Sequence, residues 1–112
     1  MITLFHNPRC SKSREALALL EARGVECRVH RYLDEPLDAQ ALHELAARLD
    51  DPSALLRTNE AEWKALGEDA TDLDSVIAAI AATPKLMQRP IADRGDRAIV
   101  GRPPEAILAL LD

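Results

Sequence analysis

The sequence predicts an α/β domain built on a mixed four-stranded sheet. Three observations lead there. A strand, helix, strand succession fills roughly the first 30 residues, the size of a βαβ unit. The hydrophobic period then stays helical through the middle of the chain. Beyond it the period falls to two, in two short strands joined by a turn, and a last helix follows. The order is βαβ, a helical block, then ββα, within the 112 residues of a single domain, 1–112.

Each element has its own signal. Residues 2–6, "ITLFH", read as a short buried strand. The first helix runs from about Ser11 to Arg23, with Ala16, Leu17 and Leu20 on its inner face and Gly24 as its C-terminal cap. "VECRVHRYL" alternates, with Val25, Cys27, Val29 and Arg31 on one face and Glu26, Arg28 and His30 on the other, so it reads as a second strand. It should lie parallel to the first through a right-handed crossover. A helical insertion then covers about 38–82. In it, "EPLDAQALHELAARL" places Leu42, Leu45, Ala46 and Leu49 at helical spacing, until Asp50, Asp51 and Pro52 break the pattern. "SALLRTNE" is a short turn, "EAEWKALG" a small helix closed by Gly67, and "TDLDSVIAAIAATP" a helix capped by Thr71 or Asp72, with Leu73, Val76, Ile77 and Ile80 inward. "RPIADRGDRAIVG" gives two strands about a Gly95-Asp96 turn. Pro103 and Pro104 open the last helix, which Ile107, Leu108 and Leu111 bury. A βαβ followed by ββα is the thioredoxin-like plan, here with helices inserted between its halves. That plan puts the chemistry at the end of the first strand and the start of the first helix.

Composition narrows the function. Hydrophobic residues make up 47% of the chain, enough for a real core, although Phe5, Tyr32 and Trp63 are its only aromatics. No apolar run approaches a membrane span, and the N-terminal pattern is not that of a signal peptide, so a cytoplasmic protein is expected. The net charge of −5, from 19 acidic and 14 basic residues, argues against nucleic acid as a partner. Eleven of the basic residues are arginine and three are lysine. Abundant Ala, Leu and Arg fit a compositional bias, but a planar guanidinium also matches an oxyanion better than a point charge does. No Cys/His cluster has zinc spacing, so no metal site is expected. Without an obvious apolar stripe, the acidic surface permits a monomer.

The segment "HNPRCSKSRE" carries the chemistry. Cys10 follows the first strand and stands where the first helix begins, among Arg9, Lys12 and Arg14. A thiol attacks as thiolate, and helix N-termini and nearby cations favour that form. The same helical turn is an anion cradle, to which Ser11 and Ser13 add hydroxyls. A buried structural thiol is the competing reading of Cys10, but polar residues flank it on both sides. Cys27, between Val25 and Val29 on the second strand, reads as a packing residue. The motif Cys10-Ser11-Lys12-Ser13 lacks the second cysteine of a C-x-x-C dithiol. Any adduct on Cys10 therefore needs an outside reductant.

Four stretches, "HNPRCSKSRE", "LLRTNE", "MQRPIA" and "GRPPE", together resemble the glutaredoxin-dependent arsenate reductase family, in order and spacing over nearly the whole chain. The resemblance implies that Cys10 attacks arsenate. It also implies that Arg57, Arg89 and Arg102 hold the oxyanion and its reduced product, and that His6 helps set the ionisation of the cysteine. It implies no bound cofactor. Glutathione acts as co-substrate, joining the arsenic adduct; glutaredoxin resolves it, and arsenite leaves. The Arg89–Pro90 peptide is expected to be cis. One departure concerns the loop: Ser11-Lys12 stands where the best-established members have Gly-Thr, a Cys-Ser-Lys-Ser branch that leaves the physiological substrate open.

Two other readings share the fold. Spx-type regulators bind RNA polymerase and commonly carry C-x-x-C, which is absent here. The three arginines favour the enzyme over that reading, and arsenate turnover with glutathione and glutaredoxin separates it also from a glutathione-linked thiol reductase without arsenate activity.

Overall fold

The computed structural model describes residues 1–111. Its sheet has four strands: β1 (Ile2–Phe5), β2 (Cys27–His30), β3 (Ile91–Asp93) and β4 (Ala98–Val100), in the order β2-β1-β3-β4. β1 and β2 run parallel with Ile2 opposite Cys27 and Phe5 opposite His30. β3 runs antiparallel to β1, and β4 antiparallel to β3. The helices are α1 (Ser11–Ala22), α2 (Ala39–Arg48), α3 (Ala61–Leu66) and α4 (Leu73–Ala82). Short 3₁₀ turns follow α2 at Pro52–Leu55 and α4 at Pro84–Leu86. This is the thioredoxin-like arrangement expected from the element order, with α2, α3 and α4 between β2 and β3.

Alternation along the strands divides the core in two. Ile2, Leu4 and Ala92 point to one face, where they meet Ala16 and Leu20 of α1 and Ile107 and Leu110 of the last helix. Phe5, Ile91 and Ala98 point to the other, against Leu42, Leu45 and Ala46 of α2 and Val76, Ile77 and Ile80 of α4. A period of two in the strands thus feeds two helical layers. Asp38 caps α2 by accepting from the Ala41 N–H at 2.8 Å, and Asp72 caps α4 by accepting from Ser75. Gly67 closes α3 with φ of +64°, a left-handed turn that only glycine adopts without cost.

Two elements differ from the sequence reading. β2 is shorter than "VECRVHRYL" suggests, and Val29 is 42% exposed. β2 is the sheet's edge, and only Val25 and Cys27 reach the core beside α1. The last helix is a 3₁₀ helix, Pro104–Leu111, whose fully buried residues are Pro104, Ile107 and Leu110. Their spacing of three matches three residues per turn, so Leu110 takes the inward place that a 3.6 period gives to Leu108 and Leu111, both only partly buried.

Three polar links tie the insertion to the sheet and its β3–β4 turn among the described residues: a Leu49–Ala98 bridge, an exposed Asp50–Arg97 pair at 3.5 Å, and a more buried pair between Arg48 and Asp93. The Arg48 side chain of α2 donates from Nε to Asp93 Oδ1 at 3.0 Å and from Nη2 to Oδ2 at 2.8 Å. Asp93 Oδ1 also accepts from the Gly95 N–H at 2.9 Å, which anchors the β3–β4 turn.

Candidate active site

Cys10 is the N-cap residue of α1, with extended backbone (φ −93°, ψ 122°). The loop that delivers it is braced by backbone and side-chain bonds. The Cys10 N–H donates to the Asn7 carbonyl at 2.9 Å, and Asn7 Oδ1 accepts from the Arg9 N–H at 3.0 Å. Ser13 Oγ accepts from the Asn7 N–H at 3.3 Å, and Arg14 Nη1 donates to the Pro8 carbonyl at 2.9 Å. No side chain caps α1, so the N–H groups of its first turn face the Cys10 loop without a side-chain acceptor. Cys10 is partly exposed and Ser11 exposed, whereas Ser13 is fully buried. The Ser13 hydroxyl therefore braces the loop from beneath, while Ser11 stands at its surface.

The three arginines arrive by separate routes. Leu56 pairs with Met87 in an antiparallel bridge; the Arg57 N–H donates to the Leu86 carbonyl at 2.8 Å and the Gln88 N–H to the Leu55 carbonyl at 2.7 Å. That bridge sets Arg57 beside the segment that leads into Arg89. Arg89 precedes Pro90 in a cis peptide, as expected; Arg102–Pro103 is a second cis bond, which the sequence reading did not anticipate. Gly101 lets the Arg102 junction close on this corner. Its N–H donates to the Pro90 carbonyl at 2.8 Å, and a Cβ there would stand 2.8 Å from Pro90 Cγ and 3.1 Å from Ile107 Cγ2. Arg102 Nε then donates to the Arg89 carbonyl at 2.9 Å.

Arg57 and Arg89 line a cleft of about 260 Å³ together with Asn7, Tyr32, Leu33, Glu60 and Lys85. Glu60 ion-pairs with Arg57 through Nη1 and Oε1 and lies 3.6 Å from Lys85 Nζ; Lys85 also pairs with Glu62 at 2.9 Å. An anion entering the cleft would share Arg57 with Glu60. Tyr32 connects the cleft to the cysteine. It is 1% exposed. Burial, with the Cys10 thiol, pushes its phenol above the ordinary range, while Arg57, the Asn7 side chain and Arg102 pull it the other way. The thiol, two of the arginines and Asn7 thus all bear on one hydroxyl.

His6, just after β1, is buried, and its Nδ1 has no hydrogen-bond partner among the described residues. Burial, then the positive charges of Arg31 and Arg14, hold its pKa below the usual value. The ring is neutral at pH 7 and offers the cysteine no positive charge there. Cys27 sits opposite Ile2, at the start of the parallel strands, whereas Cys10 follows their far end. Four strand residues separate these ends by about 10 Å, and both thiols are free. Burial pushes the Cys27 thiol up, with Glu21 adding to it, although a backbone bond from Leu4 works against the rise.

The profile of the ArsC family matches residues 5–110. The chain belongs to the ArsC family. It is 46% identical over 114 aligned residues to an arsenate reductase of Neisseria meningitidis, covering 98% of this chain and 97% of that protein. It is 40% identical to an arsenate reductase of Haemophilus influenzae, with 98% of each covered. The solved arsenate reductase from Vibrio cholerae superposes with a TM-score of 0.88 at 39% identity, covering 96% of this chain and 95% of that one.

In this ArsC chain the sequence reading missed Tyr32, Glu60 and Lys85. The sequence reading gave Tyr32 no face; β2 stops at His30, and beyond it the Tyr32 ring is buried in the core. Glu60 and Lys85 are ordinary surface types in sequence, and only the turn at Arg57 and the segment before Arg89 bring them together. Among the described residues no group of three or more His, Cys, Asp or Glu side chains could hold a metal ion, and no helix is long and apolar enough to cross a membrane.

Proposed function

We propose that this protein is an arsenate reductase in which Cys10 is the nucleophile, Arg57, Arg89 and Arg102 hold the oxyanion, and glutathione and glutaredoxin supply the reducing thiols. The observation that carries the reading is the cleft that Arg57 and Arg89 line beside Tyr32, with Arg102 bound to the Arg89 carbonyl and Cys10 standing at the uncapped start of α1. Arsenate is a tetrahedral anion, and guanidinium groups give it paired, charge-assisted hydrogen bonds. The uncapped first turn of α1 adds N–H donors from Ser11 onward.

The Cys10 thiolate attacks arsenic and an oxygen leaves as water after protonation, giving a Cys10–S–As(V) adduct. The arginines and the helix terminus stabilise the departing charge. A glutathione thiol then engages the adduct. Arsenic(V) takes two electrons and leaves as arsenite, while Cys10 and glutathione end as a mixed disulfide. Glutaredoxin reduces that disulfide by thiol exchange. An outside thiol is needed because Cys27 lies at the opposite end of the β1–β2 pair, beyond disulfide reach. Neutral His6 accompanies the cysteine as a proton acceptor.

The test is arsenite formation from arsenate with each thiol component left out in turn. Arsenite should form only with glutathione and glutaredoxin both present, and Cys10→Ser should abolish it. Wild-type protein that forms no arsenite under any thiol regime would refute the activity. Turnover by Cys10→Ser would refute the nucleophile.

A further inference from the structure

Two hydrogen-bond donors at the cleft have no acceptor. The Tyr32 hydroxyl and Arg89 Nε are both buried and have no hydrogen-bond partner among the described residues, and both residues line the same cavity. Buried polar groups in folded proteins are almost always paired, because an unmade bond in a dry site carries the desolvation penalty with no return. Neighbours cannot take up the Tyr32 proton. Asn7 Oδ1 is already engaged by the Arg9 N–H at 3.0 Å, which leaves the Asn7 amide facing Tyr32 as a further donor. No hydrogen bond joins the Tyr32 hydroxyl to the Cys10 sulfur. Of the other polar side chains that line the cleft, Arg57, Arg89 and Lys85 only donate, and Glu60, the one carboxylate, is engaged by Arg57 and Lys85 rather than by Tyr32. A tyrosine set among donors, beside two arginines and a reactive cysteine, lacks one thing, an acceptor that comes from outside.

The geometry points to Tyr32 as a substrate-contacting residue, whose hydroxyl donates a hydrogen bond to an oxygen of the tetrahedral oxyanion held between Arg57, Arg89 and Cys10. Arg89 Nε donates to the same anion, so one ligand satisfies both orphaned donors. The inference uses the arsenate-reductase reading only for the identity of the anion. Tyr32 stays protonated through the working pH range, because the same burial that orphans it opposes ionisation. It therefore acts as a fixed neutral donor, adding direction without adding charge. It also sits in the core, packed with Phe5, Leu42 and Leu55, so it holds its aim in the empty protein. Such pre-organisation at a buried position is costly to the fold and useful to a ligand.

Tyr32→Phe separates a ligand contact from a structural one, because it removes the hydroxyl and keeps the ring. Alkylation of Cys10 by iodoacetamide, followed by mass spectrometry, reads the site without turnover. Arsenate, phosphate and sulfate are the probes, and thermal melts accompany each protein. In wild type an oxyanion should slow alkylation. In Tyr32→Phe the anion concentration for half-protection should rise about ten- to a hundredfold, the range for losing one hydrogen bond to a charged group. The rate without anion should stay within about twofold of wild type, and the melting temperature should hold or rise, since an unpaired buried donor is gone. Unchanged protection overturns the inference, as does failure of all three anions to protect wild type. A lower melting temperature in Tyr32→Phe also overturns it, by showing that the hydroxyl serves the fold. An altered anion-free alkylation rate with normal protection would assign the hydroxyl to the thiol and overturn it as well. Arsenate reduction is scored separately. Wild-type turnover with unaltered protection in Tyr32→Phe ends this inference alone. Oxyanion protection that depends on Tyr32 in a protein that reduces no arsenate ends the proposed activity alone.

Discussion

Replacing Asp93 by alanine tests how the helical insertion is fastened to the sheet. Asp93 lies on β3 and accepts two hydrogen bonds from Arg48 of α2, plus one from the Gly95 N–H. Its side chain is 10% exposed and that of Arg48 26%. Breaking a fully buried ion pair costs about 3–5 kcal/mol, and an exposed one at most about 1. Arg48 can turn to solvent once its partner is gone, so about 2 kcal/mol suits this intermediate case. The lost acceptor for Gly95 adds about 1 kcal/mol. For 112 residues the unfolding entropy is about 0.24 kcal/mol/K, so a loss of about 3 kcal/mol lowers Tm by about 12 °C. Asp93→Asn keeps an acceptor for Gly95 but loses the charge and the second Arg48 acceptor. It should fall by about 8 °C, from a loss of about 2 kcal/mol. Calorimetric melts of the three proteins in one buffer provide the measurement. A Tm for Asp93→Ala within about 3 °C of wild type, well short of the shift this entropy predicts, would refute the reasoning and place the fastening in the apolar contacts, the Leu49–Ala98 bridge and the Asp50–Arg97 pair.

The other predictions concern the site. Iodoacetamide should label Cys10 before Cys27, because burial keeps the Cys27 thiol protonated; Cys27→Ser should retain most arsenate reduction, and equal loss in the two Cys→Ser variants would contradict the assignment. Arg89→Lys and Arg102→Lys keep charge but lose the guanidinium fork, so kcat/KM should drop about ten- to a hundredfold. Melts should barely move, since Arg89 Nε has no partner to lose and Arg102 is exposed; near wild-type kinetics would place the oxyanion on the Cys10 loop alone. His6 has a folded pKa below its unfolded value of about 6.5, so the unfolded chain binds the extra proton first and stability falls as pH drops below about 6.5. His6→Gln should flatten that part of the curve, and parallel pH–Tm curves for the two proteins would show that His6 contributes none of it.

The sequence by itself determined the element order and the strongest chemical feature. Hydrophobic period is a local property, and it marked the strands around Leu4 and Ile91 and the helical faces of α1, α2 and α4. Cys10 was legible because a thiol at a strand-to-helix junction, among cations, has a chemical meaning that needs no neighbours. Arg57, Arg89 and Arg102 were legible only as members of motifs, since an arginine beside a turn or a proline looks the same whether solvated or bound.

Tertiary structure decided what meets what. The bridge between Leu56 and Met87 sets Arg57 beside the approach to Arg89, and Gly101 closes Arg102 onto Pro90. The edge position of β2 exposes Val29, against its period, and the turn after His30 sends Tyr32 inward. Three residues per turn in the last helix choose Ile107 and Leu110 over Leu108 and Leu111. The shared reason is range. Periodicity and capping act over a few residues and are written locally, whereas burial of a single side chain, and the pairing of its polar atoms, depends on contacts between segments far apart in the chain. Tyr32 shows the difference most plainly, because its hydroxyl lacks a partner only once residues 7, 57, 89 and 102 have been folded around it.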